Sequence, residues 1–220
     1  IANFALPTPS YMLRAYKYRI YPNEEQKVMF AKTFGCVRFV YNWALETKKK
    51  AWEESRESIS AITLINRMKS ELKADKEWLG EVNSQSLQMS IRNMDTAYTN
   101  FFKHGARFPN FKSKHDRQAF HNPQNCSVDF AGGTLAVPKA KKVKAVFHRT
   151  FKGTIKDVTI SKEKDGRYYA SILVDTGVKP LPKKPIERET AIGIDTGLKT
   201  FAVCSNGEEF ATPHFQKKQK

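Results

Sequence analysis

The sequence has few cysteines and no long apolar run. Its 220 residues include only three cysteines, Cys36, Cys126 and Cys204, which lie far apart. Without a CxxC pair or a CxxC…HxxxH spacing, neither a disulfide framework nor a zinc site is predicted, and we expect small buried thiols. No run approaches the roughly 20 apolar residues of a membrane helix, and no signal-peptide layout is present. We therefore expect a cytosolic protein without membrane partners.

Acidic residues are scarce relative to basic ones. The sequence has 38 Lys and Arg against 22 Asp and Glu, a formal net charge of +16, while 40% of its residues are hydrophobic, enough for a core. Residues 105–184 contain 17 basic and 6 acidic residues, and so carry +11 of that charge. A local excess of this size predicts a polyanionic partner such as a nucleic acid.

The N-terminal half predicts one strand followed by helices. Residues 12–21 alternate apolar and basic side chains, as in a half-buried strand. Asn23 and Gln26 predict a capping box that begins the first helix, which we expect Gly35 to stop before a second helix starts. A third helix is expected over roughly 61–73.

A fourth helix is predicted from an N-cap at Ser84 to Gly105. Its apolar stripe comprises Leu87, Ile91, Met94, Tyr98, Phe101 and Phe102. Four short helices over 23–104 predict a compact bundle. Gln85 and Gln88 lie on the opening turns of this helix, where glutamine could read adenine edges or simply face solvent.

After Gly105 the pattern becomes that of a basic β region. Short strands are expected around "AGGTLAVP" and "AKKVKAVFHRTFKG", followed by a hairpin that turns at Asp165-Gly166. Because the lone strand over 12–21 must pair with something, the simplest topology is a β-barrel-like domain interrupted by the helices.

The stretch "TAIGIDTGLKTFAV", residues 190–203, places one acid beside a turn. Ala191–Ile194 predicts a buried strand ending at Asp195, and Gly197 permits a turn into a second and then a third strand. A hairpin with an acid on its first strand is typical of metal-dependent nucleases of the ribonuclease H type. A plain turn, or the phosphate-binding hairpin of actin-like and Hsp70-like ATPases, would use the same string.

Dense basic residues interleaved with aromatics predict a surface that binds a nucleic-acid backbone. The candidate contacts are Arg107, Lys112, Lys114, Arg117, Lys139, Lys141, Lys142, Lys144, Arg149 and Lys152. Among the aromatics, Phe108 and Phe111 could stack on bases or anchor their loop in the core.

Five ordered blocks resemble the TnpB (OrfB) proteins of bacterial insertion sequences, relatives of the type V CRISPR nucleases. The blocks are "YKYRIYPNEEQ", "GCVRFVYNWAL", "SLQMSIRNMDTAYTNFF", "ARFPNFKSK" and "AIGIDTGLKTFAV". The resemblance covers Met12 to Phe210 and implies a cytoplasmic, nucleoid-associated, RNA-guided DNA endonuclease of bacterial or archaeal transposon origin.

The resemblance implies an α+β fold with a wedge-type β-barrel split by a helical lobe. Residues 1–11 would be a tag or leader, 12–22 the first part of the wedge, 23–104 the recognition lobe, 105–184 the second part of the wedge, and 185–220 the opening hairpin of an RNase H-like (RuvC) domain. A guide RNA and double-stranded target DNA would be its partners, with Gln85 and Gln88 reading a motif beside the target.

The resemblance also makes Asp195 the first catalytic acid and a Mg²⁺ ligand. The later Glu, four-cysteine zinc ribbon and Asp of the family pattern are not among these 220 residues. We therefore expect the metal site to be incomplete in this chain, which would be the binding part of a nuclease. The alternative is a naturally shortened, non-cleaving binder, such as a guide-directed repressor or an RNA-binding protein.

Overall fold

A computed structural model of the chain describes residues 11–180 and 191–212. The chain divides into two compact units, with the boundary following Pro180. Apart from Tyr11, the leader predicted over 1–11 lies outside the described residues. Among the helices described, none combines the length and apolar character that crossing a bilayer requires.

The first unit combines helices with a seven-stranded antiparallel sheet, which confirms the predicted α+β class. Its strands are β1 (Leu13–Tyr21), β2 (Gln118–Asn122), β3 (Ser127–Asp129), β4 (Thr134–Val137), β5 (Ala140–Val146), β6 (Thr154–Lys162) and β7 (Tyr168–Asp175). They are ordered β2-β6-β7-β1-β5-β4-β3. The hairpin expected at Asp165-Gly166 is confirmed by the β6–β7 pairing, whereas β2 was not predicted as a strand.

Strand β1 lies inside the sheet although more than a hundred residues separate it from its neighbours in the chain. It pairs with β7 on one side and with β5 on the other. Tyr18 and Ile20 are buried on one face, and Lys17 and Arg19 lie on the other. The expectation that this strand pairs with the later β region is therefore confirmed.

Helix α1 (Glu24–Ser55) runs unbroken for 32 residues, so the predicted stop at Gly35 is wrong. Glycine costs about 1 kcal/mol relative to alanine inside a helix. Phe34 and Val37, on either side of Gly35, are both buried, and the buried face continues to Leu45. Packing along the whole face thus outweighs the local preference of one glycine.

We expect Gly35→Ala to raise the free energy of unfolding by about 1 kcal/mol, because alanine removes the helix penalty of glycine. No neighbouring atom lies within 4 Å of the position that its Cβ would occupy. Urea denaturation of the purified chain measures the change. As a control, Gly105→Ala should destabilise, since Gly105 has φ +63°. A destabilised Gly35→Ala variant would contradict the prediction.

Side-chain caps begin the two long helices. At α1, Gln26 N donates to Asn23 Oδ1 at 2.9 Å and Asn23 N donates to Gln26 Oε1 at 3.0 Å, which confirms the predicted capping box. At α4 (Ser84–His104), the N-cap is Asn83 rather than the predicted Ser84, and its Oδ1 accepts from Gln85 N at 3.3 Å.

The helical region differs from the predicted bundle of four short helices. Between the long helices lie α2 (Ala61–Arg67), a π-helical turn (Met68–Leu72), α3 (Lys73–Asp75) and a 3-10 turn (Glu77–Gly80). Helix α4 (Ser84–His104) ends at Gly105, as predicted. Its buried stripe stops at Tyr98, and Phe102 is 75% exposed, contrary to the expected stripe.

Helix α1 packs on the inner face of the sheet through aromatic contacts. The Phe30 ring lies 5.7 Å from the Phe120 ring and 6.1 Å from the Tyr168 ring, centroid to centroid. Phe34 also contacts Phe120, at 5.2 Å. Because Phe120 belongs to β2 and Tyr168 to β7, this cluster fixes the helices on the sheet.

The described part of the second unit is a three-stranded antiparallel sheet. Its strands are β8 (Ile194–Thr196), β9 (Thr200–Cys204) and β10 (Glu209–Ala211), ordered β10-β9-β8. The prediction of a buried strand over Ala191–Ile194 is wrong, because the strand begins at Ile194, whose side chain is 62% exposed. Within the described residues this small sheet buries only Ala202 and Cys204.

All three thiols are free. Cys36 and Cys204 are buried, as expected, whereas Cys126 is only partly so. Desolvation raises the pKa of Cys36 to about 11 and that of Cys126 to about 12. Both side chains are therefore neutral thiols at physiological pH and poor nucleophiles.

Candidate nucleic-acid interface

All ten predicted basic contacts are exposed, and they fall into two groups. Arg107, Lys112, Lys114 and Arg117 lie on the loop between α4 and β2, while Lys139, Lys141, Lys142, Lys144, Arg149 and Lys152 lie on β5 and its flanking loops. In the sheet order, β6, β7 and β1 stand between β2 and β5. The residues thus form two basic surfaces, which we call the loop group and the β5 group.

Hydrogen bonds hold the loop group against helix α1. Asn42 Nδ2 donates to the carbonyl oxygen of Lys112 at 2.9 Å, and Lys112 N donates to Asn42 Oδ1 at 2.8 Å. The Lys112 ammonium lies 4.0 Å from the centroid of the Tyr41 ring. Desolvation lowers the pKa of Lys112, although the carboxylate of Asp116 acts in the opposite direction. Lys112 is therefore positioned by the protein before any ligand arrives.

A cleft of about 420 Å³ lies beside the loop that carries the loop group. Lys112 and Arg117 of the loop line it together with Arg38 of α1, whose Nη1 donates to Gln118 Oε1 at 3.2 Å. Phe111, 55% exposed, lines the same cleft. Several cations and an open aromatic ring around one cavity suit a phosphate and its base.

The other aromatic residue of the loop has an anchoring role. The Phe108 ring lies edge-on to the rings of Tyr98 and Phe101, each at 5.3 Å between centroids. It is 41% exposed, so one side still faces solvent. Of the two candidate aromatics, Phe108 holds the loop against α4, whereas Phe111 is the one free to stack.

The β5 group is rigidly connected to the first helix and to β1. Gln26 Nε2 donates to the carbonyl oxygen of Lys141 at 2.9 Å. The Tyr18 hydroxyl donates to the carbonyl oxygen of Arg149 at 3.0 Å, and the Arg149 guanidinium lies 5.1 Å from the Tyr16 ring centroid. These contacts fix the backbone beneath the cations and leave their charged ends exposed.

The two predicted motif-reading glutamines sit at the start of α4 beside a polar cluster. Gln85 Nε2 donates to Gln124 Oε1 at 2.6 Å, and the Gln85 Oε1 atom is buried without a partner in the described structure. Asn83 Nδ2 and Ser86 Oγ both donate to Asn122 Oδ1, at 3.2 and 3.0 Å. Gln88 is partly buried.

Sequence reasoning missed Asn122 and Gln124 because β2 was not recognised as a strand. Only the pairing of β2 with β6 and its packing on α4 bring them to the glutamines. The amides around Gln85 therefore come from two segments of the chain, and Gln85 and Gln124 are 39 residues apart.

Asp195 lies in the middle of β8, opposite Val203 of β9, and its side chain is exposed. Val203 also pairs with Glu209 of β10. Side chains directly opposite each other in neighbouring strands point to the same face, so Asp195 and Glu209 share one face of this sheet. Exposure on an open strand explains why Asp195 tolerates its charge without a buried partner.

The described residues do not fit a complete magnesium site. Mg²⁺ favours carboxylate oxygens, and Asp195 offers them. Glu209 is two strands away, about 10 Å at the usual strand spacing, so this face offers two carboxylates at most. Within 11–180 and 191–212, no three His, Cys, Asp or Glu side chains could together hold a metal.

Known proteins resemble this chain along most of its length. A family model described as an OrfB helix-turn-helix domain matches residues 12–57. "Putative RNA-guided DNA endonuclease" of Streptomyces pristinaespiralis is 31% identical over 94% of this chain and 52% of its own. "Putative RNA-guided DNA endonuclease InsQ" of Escherichia coli K12 is 30% identical over 94% and 51%. The chain belongs to the TnpB (OrfB) family.

A third relative of this TnpB-family chain is much shorter. Virulence protein VsdF of Salmonella dublin is 38% identical over 48% of this chain and 98% of its own. By contrast, the chain spans about half the length of the two relatives named as endonucleases. The matched residues 12–57 form β1 and the single helix α1 in this TnpB-family structure, without a turn between two helices.

Proposed function

We propose that this chain is the guide-RNA- and target-DNA-binding part of a transposon-associated RNA-guided DNA endonuclease. The observation that carries the proposal is the pair of exposed basic surfaces, the loop group and the β5 group, on a chain of the TnpB family. Exposed cations concentrated on a rigid support neutralise the phosphates of a nucleic acid. The bacterial cytoplasm, at the nucleoid, is where such a protein would act.

In this proposal the first unit is a wedge-type β-barrel interrupted by a recognition lobe. Residues 12–22 and 105–184 form the wedge, 23–104 the lobe, and 185–220 open a RuvC-like domain. The pairing of β1 with both β5 and β7 supports the split wedge, because the helices of the lobe are then inserted between paired strands.

Base pairing by the guide would read the target, while protein side chains read a short flanking motif. We assign that role to Gln85 and Gln88, since glutamine amides can pair with adenine edges in the major groove. Gln85 Nε2 already donates to Gln124 Oε1, and Gln85 Oε1 is buried, so in this proposal the Gln85 amide exchanges its bond with Gln124 for an adenine edge when DNA binds.

For cleavage, Asp195 would be the first of several carboxylates that hold Mg²⁺, which supplies the activation of water. Since the described residues do not complete such a site, we propose that these 220 residues alone bind nucleic acid without cutting it. The contribution of Asp195 would be an exposed carboxylate held at a fixed strand position.

The test is RNA binding by the purified chain at several salt concentrations. On single strands each phosphate contact contributes about 0.7 to the slope of log affinity against log salt, so contacts from both basic surfaces predict a slope of about 3 or steeper. A slope of about 1 or less, or no RNA binding, would contradict the proposal.

Matched double variants separate specific contacts from net charge. Lys141→Gln with Lys144→Gln should lower the salt slope by about 1.4. Lys49→Gln with Lys50→Gln removes the same charge from α1, where the two lysines pair with Glu53 and Glu46, and should leave the slope unchanged. Equal effects of both variants would mean that binding follows net charge rather than the β5 group.

A further inference from the structure

The outer face of the seven-stranded sheet carries aromatic and basic side chains that neither basic surface includes. Lys17, Arg19 and Tyr21 alternate with buried residues along β1, and Tyr169 on β7 stands directly opposite Arg19. Because opposed residues share a face, these four side chains form one patch, which we call the tyrosine platform.

The side chains of the platform contact one another. The Arg19 guanidinium carbon lies 5.1 Å from the centroid of the Tyr21 ring and 5.4 Å from that of Tyr169. The Lys17 ammonium lies 4.5 Å from the Tyr169 centroid. Tyr21 remains 48% exposed. Cation–π contacts thus hold two tyrosine rings beside a guanidinium.

The Arg19 guanidinium has aromatic neighbours but no acidic partner among the described residues. No carboxylate there forms an ion pair with it, and its Nε atom is buried without an acceptor. The Nη groups form no hydrogen bond within the described residues and are not buried, so they are the atoms that an arriving phosphate would meet. Lys17 has only a 3.5 Å contact with Glu163, and both side chains are largely exposed, so this pair is weak.

The platform continues onto neighbouring strands. Lys144 of β5 lies opposite Tyr21, which adds a cation and links the platform to the β5 group. Ser171 of β7 lies opposite Lys17, which adds a hydroxyl to the same face. A surface with cations, an exposed ring at Tyr21, a partly exposed ring at Tyr169 and a hydroxyl matches the backbone, bases and 2′-hydroxyl of RNA.

We propose that the tyrosine platform binds a single-stranded segment of RNA. Bases stack on Tyr21 and Tyr169, and a phosphate between them neutralises Arg19. Diagonal neighbours on paired strands are about 7–8 Å apart, a separation that adjacent nucleotides of an extended strand can span. Base stacking on aromatic side chains tolerates any base, so the platform recognises an unpaired strand rather than a sequence. This inference rests on the proposed function and names where and how the RNA is held.

The test uses the 220-residue chain and a single-stranded oligouridine carrying one 4-thiouridine. We expect Tyr169→Ser with Arg19→Gln to lower affinity at least about 10-fold, because one stack and one phosphate contact are lost. Ultraviolet crosslinking followed by mass spectrometry should place the thiouridine on Tyr21 or Tyr169. The matched control is Trp52→Ser with Arg56→Gln, which breaks the exposed cation–π pair at the end of α1 and should leave affinity unchanged.

Further variants keep the test informative if the double variant misfolds. Tyr169→Phe keeps the ring and should retain affinity. Tyr21→Ser alters a half-exposed side chain, so its loss of affinity with an unchanged melting temperature would support the platform even if the double variant unfolds. A single-stranded DNA of the same sequence should bind more weakly, and equal binding would overturn the assignment to RNA.

The outcomes separate this inference from the proposed function. If the chain binds the oligonucleotide, but the platform variants bind equally well and crosslinks fall only on residues 107–117, then the platform is wrong and the proposed function stands. If the unmodified chain binds no RNA at any salt concentration, both fail.

Discussion

Asp195→Asn should abolish guided DNA cleavage by the complete reading frame that encodes this chain, with a loss of about 10³-fold or more. Asparagine has nearly the same shape, so the strand is retained, but it lacks the negative charge that a magnesium ion requires. The measurement is cleavage of a target plasmid in the presence of guide RNA and Mg²⁺.

RNA binding by the same variant should be unchanged. Asp195 is exposed on the three-stranded sheet and makes no hydrogen bond through its side chain within the described residues. Loss of both cleavage and RNA binding would indicate a structural role instead. Glu208→Gln in the β9–β10 turn is the matched control, because it removes one carboxylate from the same small sheet and should cleave normally.

The length of the complete reading frame distinguishes a nuclease from a shortened binder. Cleavage by the unmodified 220 residues alone would contradict the proposal that the metal site of this chain is incomplete. A complete frame that ends at Lys220 and does not cleave would support the shortened binder, whereas a longer frame that cleaves would support the nuclease.

Phe30→Ala should destabilise the first unit by about 3–5 kcal/mol, a large part of the stability of an ordinary domain. The Phe30 side chain is 1% exposed and contacts Phe120 of β2 and Tyr168 of β7. Truncation removes the aromatic contacts and leaves a cavity where helix α1 joins the sheet. Urea denaturation followed by circular dichroism measures the change.

Val28→Ala provides a control on the same helix turn. Val28 is 57% exposed, and the change should alter the free energy of unfolding by less than about 0.5 kcal/mol. If Phe30→Ala costs no more than Val28→Ala, the helix does not depend on this cluster for its position on the sheet.

The sequence predicted those elements whose signals are local. Alternation over 12–21, the Asn23–Gln26 capping box and the Asp165-Gly166 turn each depend on a few adjacent residues, and each is present in the structure. Gly35 misled the prediction because its helix cost is outweighed by burial along a face 32 residues long. Strand β2 was missed because its alternation is short and lies beside a basic loop.

For the candidate site, composition located the cations but not their arrangement. Lys112 and Lys144 belong to one basic region of the sequence. Lys112 precedes β2 whereas Lys144 lies on β5, and the sheet order places three strands between β2 and β5. The buried position expected for Ile194 and the broken first helix were both wrong, since burial depends on distant segments.

By itself, the sequence determined the family, the α+β class, the excess of positive charge and the one acid beside a turn, because motifs, periodicity and composition are properties of the chain alone. Only the tertiary structure decided that β1 lies between β5 and β7, that Asn42 fastens Lys112, and that Arg19 and Tyr169 meet on one face. These contacts join segments that lie from several tens to more than a hundred residues apart in the chain. In the sheet, strand register rather than local preference determines which side chains become neighbours.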